Sequence, residues 1–203
     1  IPFMLFVTGL LLALGYSEHQ IGFPEGVVLW IVFLIYLGYL LRSAKKNPAE
    51  TEEEQPCPIW KLLLLVAVGM GLIIWGSDLA VDAASAIAKM LGMRDRLIGL
   101  TIVALGTSLP ELVTSVAASR KGEADIAIGN IVGSNIFNIL FVVGTTALFT
   151  PVAFEPGFLI DTLIAAAVGV LLWICVFRRG RLSRAGGGIM LAAYAVYFVY
   201  LVR

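Results

Sequence analysis

The chain has 203 residues, 60% of them hydrophobic, and a mean hydropathy of +0.96, which is more apolar surface than one soluble core of that size can hide. Fourteen basic residues balance fourteen acidic ones, so there is no surplus of Lys and Arg to neutralise phosphates, and a nucleic-acid partner is excluded. The two cysteines, Cys57 in a charged stretch and Cys175 in an apolar run, make neither a disulfide framework nor a thiolate metal site.

The solvent for such a chain is lipid. A hydrocarbon core of ~30 Å takes about 20 apolar residues per helix. Suitable runs lie near 1–15, 26–42, 58–91, 97–119, 124–149, 157–177 and 184–202. They are continuous rather than alternating, which favours helices, each satisfying its own backbone polar groups, over barrel strands. The sequence thus predicts an all-α integral membrane protein, a polytopic helix bundle. The first run starts at Ile1 without a basic signal region, so it reads as a truncated span and the chain as a fragment.

Between the first two runs, 16–25 is a polar connection carrying His19, the only histidine. After the second, residues 43–57 form an acidic linker bracketed by Pro48 and Pro56. The acidic run lacks the spacing and turn glycine of a Ca2+-binding loop and reads as a solvated connection. The 58–91 run is longer than a bilayer is thick, so it must tilt or emerge. Asp78 and Asp82, late in that run, accordingly read as residues of the external interface rather than as site residues. Asp161, four residues after Gly157, reads as interfacial too.

Basic loops stay cytoplasmic. Arg42, Lys45, Lys46 and Lys61 flank the linker, Arg120 and Lys121 follow the fourth run, and Arg178, Arg179, Arg181 and Arg184 follow the sixth. The alternate connections 16–25 and 150–156 carry no Lys or Arg, while Lys89, Arg94 and Arg96 lie around a third. This pattern places the linker in the cytoplasm and the C-terminus outside, in a multi-pass cell-membrane protein.

An intramembrane carboxylate is costly and is a functional candidate by default. Glu111 lies at the middle of the fourth run, in Gly106-Thr107-Ser108-Leu109-Pro110-Glu111. Pro110 has no amide hydrogen, so the carbonyl of Gly106 loses its helical donor, with those of Ala104 and Thr107 next in line. A hard cation satisfies such oxygens, because Na+ and Ca2+ take several neutral and anionic oxygen ligands. Thr107 and Ser108 precede Glu111 by four and three residues, which puts hydroxyls and carboxylate on one face. Broken helices of this kind are how secondary transporters build ion sites.

The fifth run contains Gly129-Asn130-Ile131-Val132-Gly133-Ser134-Asn135-Ile136-Phe137-Asn138. Asn130, Ser134 and Asn138 recur every fourth residue as one polar stripe, and Gly129 with Gly133 is a small-xxx-small pair that admits a neighbouring backbone. A short connection makes the fourth and fifth runs an antiparallel pair whose polar stripes can face each other. Ser, Thr and Asn also serve as hydrogen-bonding glue between membrane helices. Glue does not require a carboxylate, and it is Glu111 that favours an ion site.

Residues 106–111 and 129–138, with Ile98-Gly99-Leu100-Thr101-Ile102-Val103-Ala104 leading in, resemble the second alpha-repeat of the sodium/calcium exchanger family, in its bacterial and archaeal branch. The resemblance implies one five-helix inverted repeat of an exchanger, residues 58–203, preceded by the one or two spans that end the first half, residues 1–42, and by the linker. It implies Na+-driven Ca2+ exchange by alternating access, with both ions as substrates rather than cofactors and with the bilayer and an absent N-terminal repeat as partners. The implied ligands are Glu111, the carbonyls of Thr107 and Ala104, and the side chains of Ser108, Ser134 and Asn138. Potassium-dependent members carry Asp at the position of Asn138, so this Asn favours potassium-independent exchange.

An intramembrane protease would need a histidine base within a span for Ser108, or two aspartates facing across a cleft, whereas Asp78 and Asp82 share one helix. No enzymatic role is expected. A purely structural subunit leaves Glu111 without purpose. Cation/proton exchange remains open beside Na+-driven exchange, since the same motifs serve it.

Overall fold

The computed structural model describes residues 1–46, 58–93, 98–177 and 180–202. The acidic linker, Arg178 and Arg179 lie outside the described residues. Helices α1 (Pro2–Glu18), α2 (Phe23–Lys46) and α3 (Ile59–Met90) cover the first three apolar runs. The fourth run is broken: a π-helical segment, Gly99–Val103, leads into α4 (Ala104–Thr107), and α5 (Leu109–Arg120) follows after Ser108. The fifth run is α6 (Ala124–Phe137), a second π-helical segment Asn138–Val143 and α7 (Gly144–Phe149). The sixth and seventh are α8 (Pro156–Phe177) and α9 (Arg184–Val202).

Among the described residues, Phe23–Lys46, Ile59–Met90, Ala124–Phe149 and Gly157–Phe177 are long and apolar enough to cross a membrane, and the bent pair Thr101–Thr107 and Leu109–Arg120 makes a further span when counted as one. Leu62, Leu63, Leu64 and Leu65, consecutive on α3, are all at least half exposed. A helix that presents leucine on every side belongs in a protein core or across a membrane. The 32 residues of α3 are ~48 Å long at 1.5 Å each, more than a bilayer core.

Helix ends follow local chemistry. Glu25 Oε2 accepts the Gly22 N–H at 2.9 Å, and Lys45 and Lys46 lie in the last turn of α2, where cations offset the helix dipole. Both α3 and α5 close on a left-handed glycine, Gly92 at φ 80° and Gly122 at φ 85°. Beyond them the Met93 and Glu123 amides donate back to the Ala88 and Ala118 carbonyls, each at 3.0 Å, satisfying oxygens that the helix end would orphan.

The chain forms two compact units. One holds α1, α2, α6, α7, α8 and most of α9; the other holds α3, α4, α5 and the last turn of α9. Compactness thus groups elements differently from the division of the sequence at the linker, because the one follows contacts and the other the chain's repeat pattern.

In the first unit, α1 packs on α8 and α2 on α7. Val7, Leu29, Ile136 and Leu140 are the centre of its core. Helix α2 crosses α7 at two glycines: a Cβ on Gly26 would lie 2.9 Å from the Gly144 carbonyl oxygen, and one on Gly144 would lie 3.2 Å from the Leu29 Cβ. Trp30 Nε1 donates to Thr145 Oγ1 across the same crossing at 3.2 Å. A two-residue antiparallel pairing of β1 (Gln20–Ile21) with β2 (Val152–Ala153), with Gln20 opposite Ala153, ties the 16–25 connection to the segment before α8.

Candidate cation site

The fourth run breaks where its proline predicts. Ser108, at φ −97° and ψ 0°, separates α4 from α5, and the axes bend by 51° there. Its amide donates to Leu105 at 3.1 Å and its carbonyl accepts from Leu112 at 3.0 Å. Pro110 falls in the first turn of α5, where its missing amide hydrogen would have had no partner in any case. The residue four before it, Gly106, faces a nitrogen that cannot donate. Thr114 Oγ1 donates to the Pro110 carbonyl at 2.9 Å and to that of Glu111 at 3.1 Å.

Glu111 lies in the first turn of α5, and its Oε2 is shielded from solvent. The carbonyl end of the π-helical segment and α4, the negative end of a helix, thus meets the turn that carries the carboxylate. Ala104, Thr107, Ser108 and Glu111 are brought to one break within one unit. Carbonyl oxygens, hydroxyls and a carboxylate in that order suit a hard cation.

Helix α3 backs this break. A Cβ on Gly106 would overlap Val81 Cγ2 and lie 3.2 Å from Val81 Cβ, so the motif glycine is the seat on which α3 rests. Ser77 and Ala88, on the same side of α3, are buried, and Ser85 Oγ is buried with no hydrogen-bond partner among the described residues. Asp78 and Asp82 are exposed. Sequence reasoning passed over Ser77 and Ser85. The signal available was their spacing of four about Val81, but without the Gly106 contact nothing distinguished that face from the rest of an apolar helix.

Ser134 and Asn138 belong to the other unit. Ser134 is half-buried near the end of α6, and the exposed Asn138 opens the second π-helical segment. Asn130 is half-buried one turn before Ser134, so the stripe at every fourth residue is preserved up to the π segment. Asn135 points elsewhere: its Nδ2 donates to the Ile131 carbonyl at 2.8 Å. Among the described residues of this unit no atom comes within 4 Å of a Cβ built on Gly129 or Gly133. Phe137 and Phe141 stack at 4.7 Å across the start of the π segment, and Phe33 of α2 closes on Phe141 at 5.4 Å. π-Helical turns are rare and occur mostly at functional sites; here each one adjoins a motif.

Comparison with known proteins gives concordant results. The putative antiporter CaxA of Alkalimonas amylolytica is 38% identical over 183 residues, which cover 86% of this chain and 57% of that protein. The sodium/calcium exchanger MaX1 of Methanosarcina acetivorans is 44% identical over 117 residues, 57% of this chain and 33% of that one. The solved structure of the sodium-calcium exchanger NCX_Mj soaked with Na+ and Sr2+ superposes with a TM-score of 0.79 at 31% identity, covering 98% of this chain and 64% of that chain. The chain therefore spans less than two thirds of the length of these relatives. The family model for the sodium/calcium exchanger protein matches residues 61–203, a stretch that contains both motifs, and this multi-pass membrane chain belongs to that family.

Proposed function

We propose that the chain is part of a secondary active cation antiporter that exchanges Na+ for Ca2+ by alternating access in a prokaryotic cell membrane, and that it supplies half of the ion site. The carrying observation is Glu111 in the first turn after the 51° break at Ser108. Its ligands are the Glu111 carboxylate, the Ala104 and Thr107 carbonyls and the Ser108 hydroxyl, with Ser134 and Asn138 assigned from their sequence motif. The basic-loop pattern supports an external C-terminus.

Charge counting supports the half-site. Ca2+ in a low-dielectric site needs anionic compensation, and Glu111 is the only carboxylate in the proposed set. The remaining charge comes from an equivalent Glu on an inverted N-terminal repeat, at the interface where such transporters place their ions. The test reconstitutes residues 1–203 in liposomes with an imposed Na+ gradient and follows Ca2+ flux, with the complete exchanger beside it. We expect flux only from the complete exchanger. Robust exchange by the 203-residue chain alone refutes the half-site. Flux in the complete exchanger that is driven by a proton gradient and is indifferent to Na+ replaces Na+ exchange with the cation/proton reading.

A further inference from the structure

The compact unit built on α1, α6, α8 and α9 contains a cavity of about 300 Å³ that the ion site does not use. Asp161, Ile164, Ala165, Val168 and Leu172 of α8 line it. Their spacing of three and four marks a single helical face, so the cavity runs along α8 from Asp161 to Leu172, ~16 Å at 1.5 Å per residue. Ile131 and Asn135 of α6, Met4 of α1 and Met190 and Tyr197 of α9 complete the wall.

The two ends differ in chemistry. Near the start of α8, Asp161 Oδ1 accepts the Tyr197 hydroxyl at 3.0 Å. That bond fixes the carboxylate and leaves Oδ2 for a ligand. Asn135, on α6, uses its Nδ2 on the Ile131 carbonyl. Among the described residues, no Lys, Arg or His lines the cavity. From Ile164 to Leu172 the α8 face is apolar, and beside it α1 lies close: a Cβ on Gly169 would be 2.8 Å from Leu5 Cδ2 and 3.0 Å from Met4 Cε.

A carboxylate held by Tyr197 and an apolar face beyond it on the same helix match a cationic head on one alkyl chain. We propose that this cavity binds a single-chain primary ammonium amphiphile, its ammonium on Asp161 Oδ2 and its tail along the α8 face toward Leu172. The volume is at the lower end of the ~300–1,000 Å³ range of ligand pockets, which suits one chain and excludes a diacyl lipid.

The test uses the full-length exchanger in phosphatidylcholine nanodiscs, with dodecylammonium as the probe, native mass spectrometry to count bound molecules and calorimetry to measure affinity. The expected result is one saturable site that dodecanol does not fill. Asp161→Asn lowers the affinity at least tenfold by removing the counter-charge, and Val168→Phe does the same by filling the channel while leaving the carboxylate in place. Thermal unfolding in the same nanodiscs checks both variants, and Val168→Phe carries the test if Asp161→Asn fails to fold. Equal binding by wild type and both variants overturns the proposal, as does equal binding of dodecanol. Phosphatidylethanolamine retained in an Asp161-dependent manner with comparable affinity overturns the single-chain assignment.

Discussion

Gly106→Ala is the sharpest probe of how the broken span is held. The added Cβ would overlap Val81 Cγ2 and come within 3.2 Å of Val81 Cβ. Rotating the valine can move Cγ2, although β-branched side chains resist it, but no rotation moves the Cβ. Helix α3 must therefore step back from α4. Overpacking of this kind costs about 1–3 kcal/mol, roughly a 5- to 150-fold fall in the folding equilibrium constant. The assay is denaturant unfolding of the purified protein in detergent, followed by helical circular dichroism. Gly69→Ala on α3, where a Cβ meets nothing within 4 Å, is the control and should be neutral or slightly stabilising, since Ala is the better helix former. Adding Val81→Ala to Gly106→Ala should recover at least ~1 kcal/mol beyond the sum of the single changes, because it removes both methyl groups from the contact. A Gly106→Ala protein as stable as the Gly69→Ala control, or no coupling to Val81→Ala, refutes the seat that Gly106 provides for α3.

Glu111→Gln keeps size and polarity while removing the charge, so Ca2+ uptake by the complete exchanger in Na+-loaded liposomes should be abolished with the helical spectrum intact; normal uptake removes Glu111 from the site. Asn138→Asp adds a negative charge that K+ can balance, and the exchange rate should become dependent on K+; unchanged potassium sensitivity removes Asn138 from the ligands. Ser85→Ala deletes a buried hydroxyl whose Oγ has no hydrogen-bond partner among the described residues, so stability should stay level or rise by up to ~1 kcal/mol. A loss above ~1 kcal/mol in the same unfolding assay would show that the hydroxyl is bonded in the folded protein.

Much of this protein is written in its local sequence. The apolar runs near 58–91 and 124–149 became helices ending within about two residues of the expected bounds, because the bilayer fixes the length of a span and helices are the only open-ended solution for its backbone. The break at Ser108 was legible from Pro110 alone, since a missing amide hydrogen acts on its own helix, and Glu111 stood out because a carboxylate in lipid is costly wherever the helix packs. Other features depend on contacts between residues distant in sequence. Gly106 reads in the sequence as one more motif glycine; only the approach of Val81, 25 residues earlier, makes it a seat. Gly129 and Gly133 permit a close approach that no described residue of their own unit makes, because a small-residue face permits packing without supplying the neighbour. The π-helical segments have no composition of their own that marks them in the sequence, and the ring contacts of Phe33 and Phe137 with Phe141 appear only in the fold. Asp161, read from position as an interfacial residue, becomes the head of a cavity only through Tyr197, 36 residues away in sequence. The sequence by itself determined the spans, the break and the carboxylate, since each is settled within a turn or two of one helix. Tertiary structure decided which glycines are filled, which serines are buried and where a cavity remains, since those are properties of the space between helices.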